Sequence, residues 1–423
     1  MRNSLILILI FFYAIGAQAQ KPKVITPGEN LIVKNIPPIP SAIQQEVKKY
    51  TESRSAAPVD WHPRKREMLM TTRFGNTNQL HYLTMPLGAR KQITFFDEPV
   101  GNAVFEPKEG KYFIFSRDAG GNEFGQLYRY DMADGNVVLL SDGGRSQNGN
   151  IRWNNKFNLV CFTSTRRNGA DRDIYTMDPM NPESANMIHQ VTGGGWSVSD
   201  WAPDDSKLLI TQSVSVNESN IFLLDIKTGQ RKQITPAQKK EKAVYSGGAF
   251  SHDGKHVFFI TDQNNEFRRL ARMNADGSDI RYITSDIKWD ITGFDLDRNR
   301  VKMLFTTNEN GLSKVYYLEL QSLQYRQLNN LPEGQVSSIQ WRPGSDEFMF
   351  SFSSARNNSD IYTCDLESMK LERWTESELG GIQASSLSEP QLIKWKSFDG
   401  LEISGFYYKP SSKFTGKRPV MIS

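Results

Sequence analysis

Phe250-Ser-His-Asp-Gly-Lys-His-Val-Phe-Phe-Ile260 joins an aromatic residue, a turn and a continuous apolar run. Asp253-Gly254 supplies the turn, because a tight hairpin needs residues that tolerate positive φ. His256-Val-Phe-Phe-Ile260 then reads as a strand buried on both faces. Further out, Asn274-Ala-Asp-Gly277 turns the chain and Arg281-Tyr-Ile-Thr284 closes the unit. The same opening recurs at Trp61-His-Pro63, Phe105-Glu-Pro107, Trp153-Asn-Asn155, Trp201-Ala-Pro-Asp204, Phe294-Asp-Leu-Asp297 and Trp341-Arg-Pro-Gly344, at spacings of 44 to 49 residues. Units of this length with four short strands each are propeller blades, since one blade cannot bury both faces of its sheet alone. The expected fold is all-β: a seven-bladed β-propeller over residues 59–375, with no half-blade left to interlock the ends.

Several repeats close on one phrase: Gln92-Ile-Thr94, Gln233-Ile-Thr235 and Tyr282-Ile-Thr284, with Gln190-Val-Thr192 and Arg373-Trp-Thr375 as variants. Repeat six is the poorest copy, with Asp297-Arg-Asn299 in place of the usual turn. Ahead of the blades, residues 20–58 form an N-terminal segment, Pro-rich and extended over 24–40. A short amphipathic helix is expected at 41–50, with Ser41 as N-cap and Ile43, Val47 and Tyr50 on one face. Residues 376–389 read as a polar linker. Within 390–423, two strands flank an Asp399-Gly400 tip, and Arg418-Pro-Val-Met-Ile422 opens a further apolar strand.

The 423 residues are 38% hydrophobic and 23% charged, with a net charge of +4 spread over interspersed acidic and basic residues. That is a globular profile without the basic stripe of a nucleic-acid partner. Arg2, an apolar run over 5–15 and Ala17-Gln-Ala19 make residues 1–19 a signal peptide, too short for a permanent membrane span. The mature chain is expected to start at Gln20, to be periplasmic or extracellular, and to hold no membrane contact after cleavage. Cys161 and Cys364 fall in blades three and seven, too far apart to bridge, and read as buried free thiols. His252 and His256 straddle a turn and lack a third ligand, so neither a metal nor another cofactor is expected.

The hairpin tips between second and third strands emerge on one face of the ring. Four carry a glutamate at a matching place: Glu123, Glu218, Glu266 and Glu309. Repeat three offers Arg166, Arg167, Asp171 and Arg172 instead, and repeat seven Arg356. Such a ring would attract a peptide's amino terminus, with the arginines holding carbonyls or carboxylates. The plain alternative is a set of solvated tips. Gly195-Trp-Ser-Val-Ser199 approaches a nucleophile elbow, but Ser199 replaces the final glycine and the segment is a blade crossover. No catalytic residue is assigned.

Thr72-Arg-Phe-Gly75, Asp118-Ala-Gly-Gly-Asn-Glu123, Arg167-Asn-Gly-Ala-Asp-Arg-Asp173, Ser215-Val-Asn-Glu-Ser219 and Trp374-Thr-Glu-Ser-Glu378 give the chain a resemblance to the prolyl oligopeptidase family of secreted serine peptidases. In that family an N-terminal propeller caps an α/β-hydrolase domain. Phe398-Asp-Gly400, Tyr408-Lys-Pro410 and Arg418-Pro-Val420 look like the opening of that domain, so 390–423 is expected to be its truncated start. The resemblance places the His-Gly-Gly loop, the G-x-S-x-G elbow, the Asp and the His beyond Ser423. The implied role is peptide gating for a hydrolase domain that is missing or separately encoded, with this chain inactive alone. The alternative is a stand-alone periplasmic propeller of the TolB-like kind, acting as a binding or scaffold module.

Overall fold

The computed structural model describes residues 23–100, 102–237 and 242–423. The signal peptide read at 1–19 lies outside the described residues. Seven four-stranded antiparallel sheets follow one another, each with its strands in chain order. The inner strands are Ala57–Trp61, Ala103–Phe105, Asn148–Trp153, Trp196–Trp201, Tyr245–Phe250, Ile291–Leu296 and Gln335–Trp341. A hydrophobic cluster fills each junction between neighbouring blades. Between blades four and five, for example, Leu209 and Ile221 pack on Val257 and Phe259, all fully buried. This is why the second strands read as unbroken apolar runs: each is covered by a blade on either side.

The closing phrase has a physical reason. Its threonine is buried, and its hydroxyl accepts the N–H of a third-strand residue: Thr94 from Leu80 (2.8 Å), Thr284 from Leu270 (3.0 Å) and Thr375 from Ile361 (2.9 Å). The outermost strand has already ended there, so the hydroxyl supplies the acceptor that the ladder lacks. The residue opening the phrase adds a second tie: Gln92, Gln233 and Arg373 each donate a side-chain N–H to the threonine carbonyl.

Repeat six needs a correction of register. Its inner strand ends at Leu296, which stands where the other blades carry Trp or Phe, so Phe294 is not the landmark. Phe294 lies two residues earlier, with its ring against bare Gly247 of blade five, where a Cβ would come within 2.9 Å of it. The turn therefore starts at Asp297, directly after Leu296.

The ring closes through side chains. Ala56, Trp61, Met68, Met70 and Leu83 of the first blade pack on Met349, Ile361 and Trp374 of the last. Arg66 forks onto Glu347 and reaches Glu372, with its guanidinium 4.9 Å from the Trp374 ring centre. The Ser359 carbonyl accepts both the Ala56 N–H and the Ser377 hydroxyl, each at 3.0 Å.

The described residues divide into two compact units: residues 23–53 with Glu378–Gln383, and Arg54–Ser377 with Ala384–Ser423. In the first unit, the helix Ser41–Thr51 leaves Ile43, Val47 and Tyr50 exposed. Its N-cap is Pro40, in extended conformation; Ser41 is already helical and caps nothing. In the second unit, Gln391–Lys396 and Glu402–Tyr407 form the expected hairpin, turning at Gly400 with φ +87°. The Phe406 ring packs over Gly311 at the tip of blade six. The strand expected at Arg418-Pro-Val-Met-Ile422 is absent: the segment is irregular and exposed, with no neighbouring strand among the described residues to pair its backbone.

Candidate functional site

The hairpin tips do not form a uniform ring. Glu123, in left-handed backbone at φ +63°, and Glu266 are exposed with open carboxylates. Glu218 is held by Lys242 at 2.7 Å. Glu309 folds back onto its own hairpin, accepting the hydroxyls of Tyr316 and Thr307, both at 2.8 Å. The Tyr316 phenol is correspondingly pushed above its ordinary pKa, by burial first and by this carboxylate second.

The arginines are mostly consumed by the structure. Arg166 lies over the rings of Phe162 and Tyr175 and donates to Ser164. Arg167 clamps fully buried Asp173 at 2.6 Å, Asp171 at 2.8 Å and the Val191 carbonyl at 3.1 Å. Arg172 donates to Gln147 at 2.6 Å. Arg356 holds the segment after the blades, through the Leu387 carbonyl at 3.1 Å and Glu389 at 2.9 Å. Glu123 and Glu266 are therefore the two tip glutamates left open to a ligand.

Inner strands of blades three to seven line an open cavity of about 850 Å³, with Ser197, Ser246, Thr292, Asp295 and Gln340 among its walls. Inner strands of neighbouring blades are not joined by a ladder, and side chains lace them instead. Asp60 accepts the N–H of Phe105 (2.7 Å), Asp200 that of Phe250 (2.8 Å) and Asp295 that of Trp341 (2.9 Å). Each carboxylate thus grips the terminal residue of the next blade's inner strand. Gln340 donates to Asp60 at 2.8 Å and carries the lacing from blade seven to blade one.

Asp200 is matched by the guanidinium of Arg300, which crosses from blade six and donates to both carboxylate oxygens. Asp60 and Asp295 have no cation partner among the described residues. Burial pushes Asp60 up to about 6 and Asp295 up to about 7, against the opposing pull of the N–H groups they accept. The lacing was missed in the sequence, although its signal is there: Asp60-Trp61, Asp200-Trp201 and Asp295-Leu296 each place an aspartate directly before the end of the inner strand.

Ser197 and Ser199 line the cavity from an inner strand, not from a strand-to-helix turn, and Ser199 is paired with Thr211. No group of three His, Cys, Asp or Glu side chains among the described residues is placed to hold a metal ion. Cys161 and Cys364 are each buried and free.

The ring of blades and its laced inner strands define a seven-bladed β-propeller. The family model described as the N-terminal β-propeller domain of prolyl oligopeptidase matches residues 100–377, and the chain belongs to that family. A solved structure from a study of two prolyl endopeptidases, concerned with inter-domain dynamics in catalysis and specificity, shares the fold with a TM-score of 0.68 at 13% identity. That match covers 86% of this chain and 56% of the other. The Tol-Pal system protein TolB of Roseobacter denitrificans is 31% identical over 160 residues, which is 33% of this chain and 35% of TolB. The chain thus spans little more than half of that peptidase and about a third of TolB.

Proposed function

We propose that this chain is the propeller portion of an exported prolyl oligopeptidase-family serine peptidase, where it admits and orients peptides for a hydrolase domain. The observation that carries this reading is the propeller match over 100–377, followed by a folded hairpin at 391–407 whose sequence looks like the opening of that hydrolase domain. On this reading peptides approach the tip face, and the open carboxylates of Glu123 and Glu266 attract their amino termini. The residues of the serine mechanism belong to the hydrolase domain, joined to the propeller or separately encoded.

The second reading, a stand-alone TolB-like scaffold, is favoured by the 31% identity to TolB. One experiment separates the two. Cells producing the protein are treated with a serine-directed fluorophosphonate, and the protein is isolated with an antibody against the propeller. A labelled serine on the same or a companion chain is the expected result. Isolated protein with no labelled serine, recovered with other envelope proteins, would favour the scaffold.

A further inference from the structure

In two neighbouring blades the residue just before the closing phrase reaches the outer turn of the next blade. In blade four it is Lys232, whose ammonium donates to the Asp276 carbonyl of blade five at 3.4 Å. In blade three it is His189, the last residue of the outermost strand Asn181–His189. Its Nδ1 lies 2.9 Å from the Gly229 carbonyl of blade four, and its Nε2 lies 2.9 Å from the Arg231 guanidinium. The two blades approach closely here. Gly229 stands at φ +67°, and a Cβ on it would come within 3.1 Å of the Ile188 carbonyl.

The partners fix where the imidazole carries its proton. A carbonyl can only accept and a guanidinium can only donate, so Nδ1 bears the hydrogen and Nε2 presents its lone pair. His189 is neutral in this contact. A second proton, on Nε2, would set donor against donor and cation against cation. Lys232, with N–H groups alone, makes its contact without any such condition. The Arg231 guanidinium also lies 4.6 Å from the Trp196 ring centre and 5.7 Å from that of Phe222, so its position is shared with an apolar floor. The other charged group that acts on His189 is Asp173, which Arg167 already clamps at 2.6 Å. Burial first and Arg231 second hold the imidazole below its ordinary pKa, against the pull of the Gly229 carbonyl and Asp173.

We infer that His189 is a proton-operated latch between blades three and four, closed on Arg231 when the imidazole is neutral and released from it when the imidazole is protonated. The Nδ1 bond to Gly229 survives protonation, so the released state is a loosened rim and not an unfolded blade. The sign follows from the lowered pKa. His189 binds fewer protons folded than unfolded, so its contribution is full above the ordinary imidazole value and is lost as pH falls through the folded one. The latch belongs to the ring itself and holds whether or not the chain serves a peptidase.

The test uses the full chain and three proteins: the parent, His189→Gln and Arg231→Met. Glutamine keeps an N–H for Gly229 and an acceptor for Arg231 but does not titrate, so it is a latch fixed shut. Amide exchange across the Gly229–Arg231 turn is measured at pH 8 and pH 5, corrected for intrinsic rates and normalised to the Asp134-Gly135 turn of blade two. Acid should cost the parent on the order of threefold in protection there, and His189→Gln should lose none. Histidine ring resonances, with His189 assigned by its loss in the glutamine variant, give its pKa directly. Arg231→Met should raise that pKa by about one pH unit, because it removes both the opposing cation and the donor to Nε2. Acid-independent exchange in the parent, the same acid loss in His189→Gln, or a His189 pKa unmoved by Arg231→Met would each overturn the latch.

Discussion

The indole of Trp61, ending the first inner strand, meets that of Trp374 edge-on, with ring centres 5.7 Å apart and planes at 87°. This contact lies at the heart of the seam that turns an array of blades into a ring. Among the described residues no strand crosses the seam to lock it, so the apolar cluster around the two indoles and the Arg66 fork carry the closure.

Trp374→Ala should therefore cost about 3–5 kcal/mol, the usual loss for a buried aromatic side chain. Arg66→Ala should cost less, about 1–2 kcal/mol, because Arg342 remains to pair with Glu347. Denaturant melts give both values. If the seam is the weak junction, limited proteolysis of the Trp374 variant should cut first near its two sides.

Stability should fall as pH rises through neutrality, through Asp60 and Asp295. Burial holds their folded pKa values at about 6 and about 7, above the ordinary carboxylate range. Such a group binds more protons folded than unfolded, so its contribution is full at about pH 4, is lost as pH climbs through the folded value, and levels off above it. Asp295→Asn keeps an acceptor for the Trp341 N–H and removes the titration. Between pH 5 and pH 8 the parent should lose on the order of 2 kcal/mol more than this variant. Parallel pH–stability curves for the two proteins would refute the assignment.

The closing threonines should be worth more than their polarity implies. Thr284→Val strips the acceptor from the Leu270 N–H, which lies among fully buried side chains. The expected loss is about 1–3 kcal/mol. Amide exchange should also quicken locally at Leu270, an effect distinct from general loosening.

Substitutions at the tips should separate ligand contact from structure. If peptides dock by their amino termini, Glu123→Gln with Glu266→Gln should weaken binding of free-amino peptides and spare acetylated ones. Glu309→Gln should lower the melting temperature through Tyr316 and leave binding unchanged. Calorimetric titration with matched peptide pairs reads the first effect and thermal melts the second.

The blades were legible because their signal is periodic and local: an aromatic residue, an Asp-Gly-type turn and an apolar run each state their own structure. Register in blade six was not, because Phe294 imitates the landmark while Leu296 occupies its place. Among the candidate site residues, exposed Glu123 and Glu266 kept the character read from their position. Glu309 and Arg167 did not, since their partners Tyr316 and Asp173 lie on the returning strand, and only folding decides which way the side chains turn. The lacing aspartates act between blades about 45 residues apart, a relation that no single repeat displays. The apolar run at 418–422 shows the reverse case, since a strand is completed by its neighbour and not by its own residues.

The Ser359 carbonyl, taking the Ala56 N–H on one side and the Ser377 hydroxyl on the other, brings the two ends of the ring to a single atom. Residues 23–53 and the stretch Glu378–Gln383 then gather into one compact unit, joined by the bridge between Ser53 and Leu379. The ring itself is one unbroken stretch of some three hundred residues, Arg54–Ser377, whose ends meet at that atom. A chain permuted to begin between two other blades, with Ser377 linked to Arg54, should still close its ring.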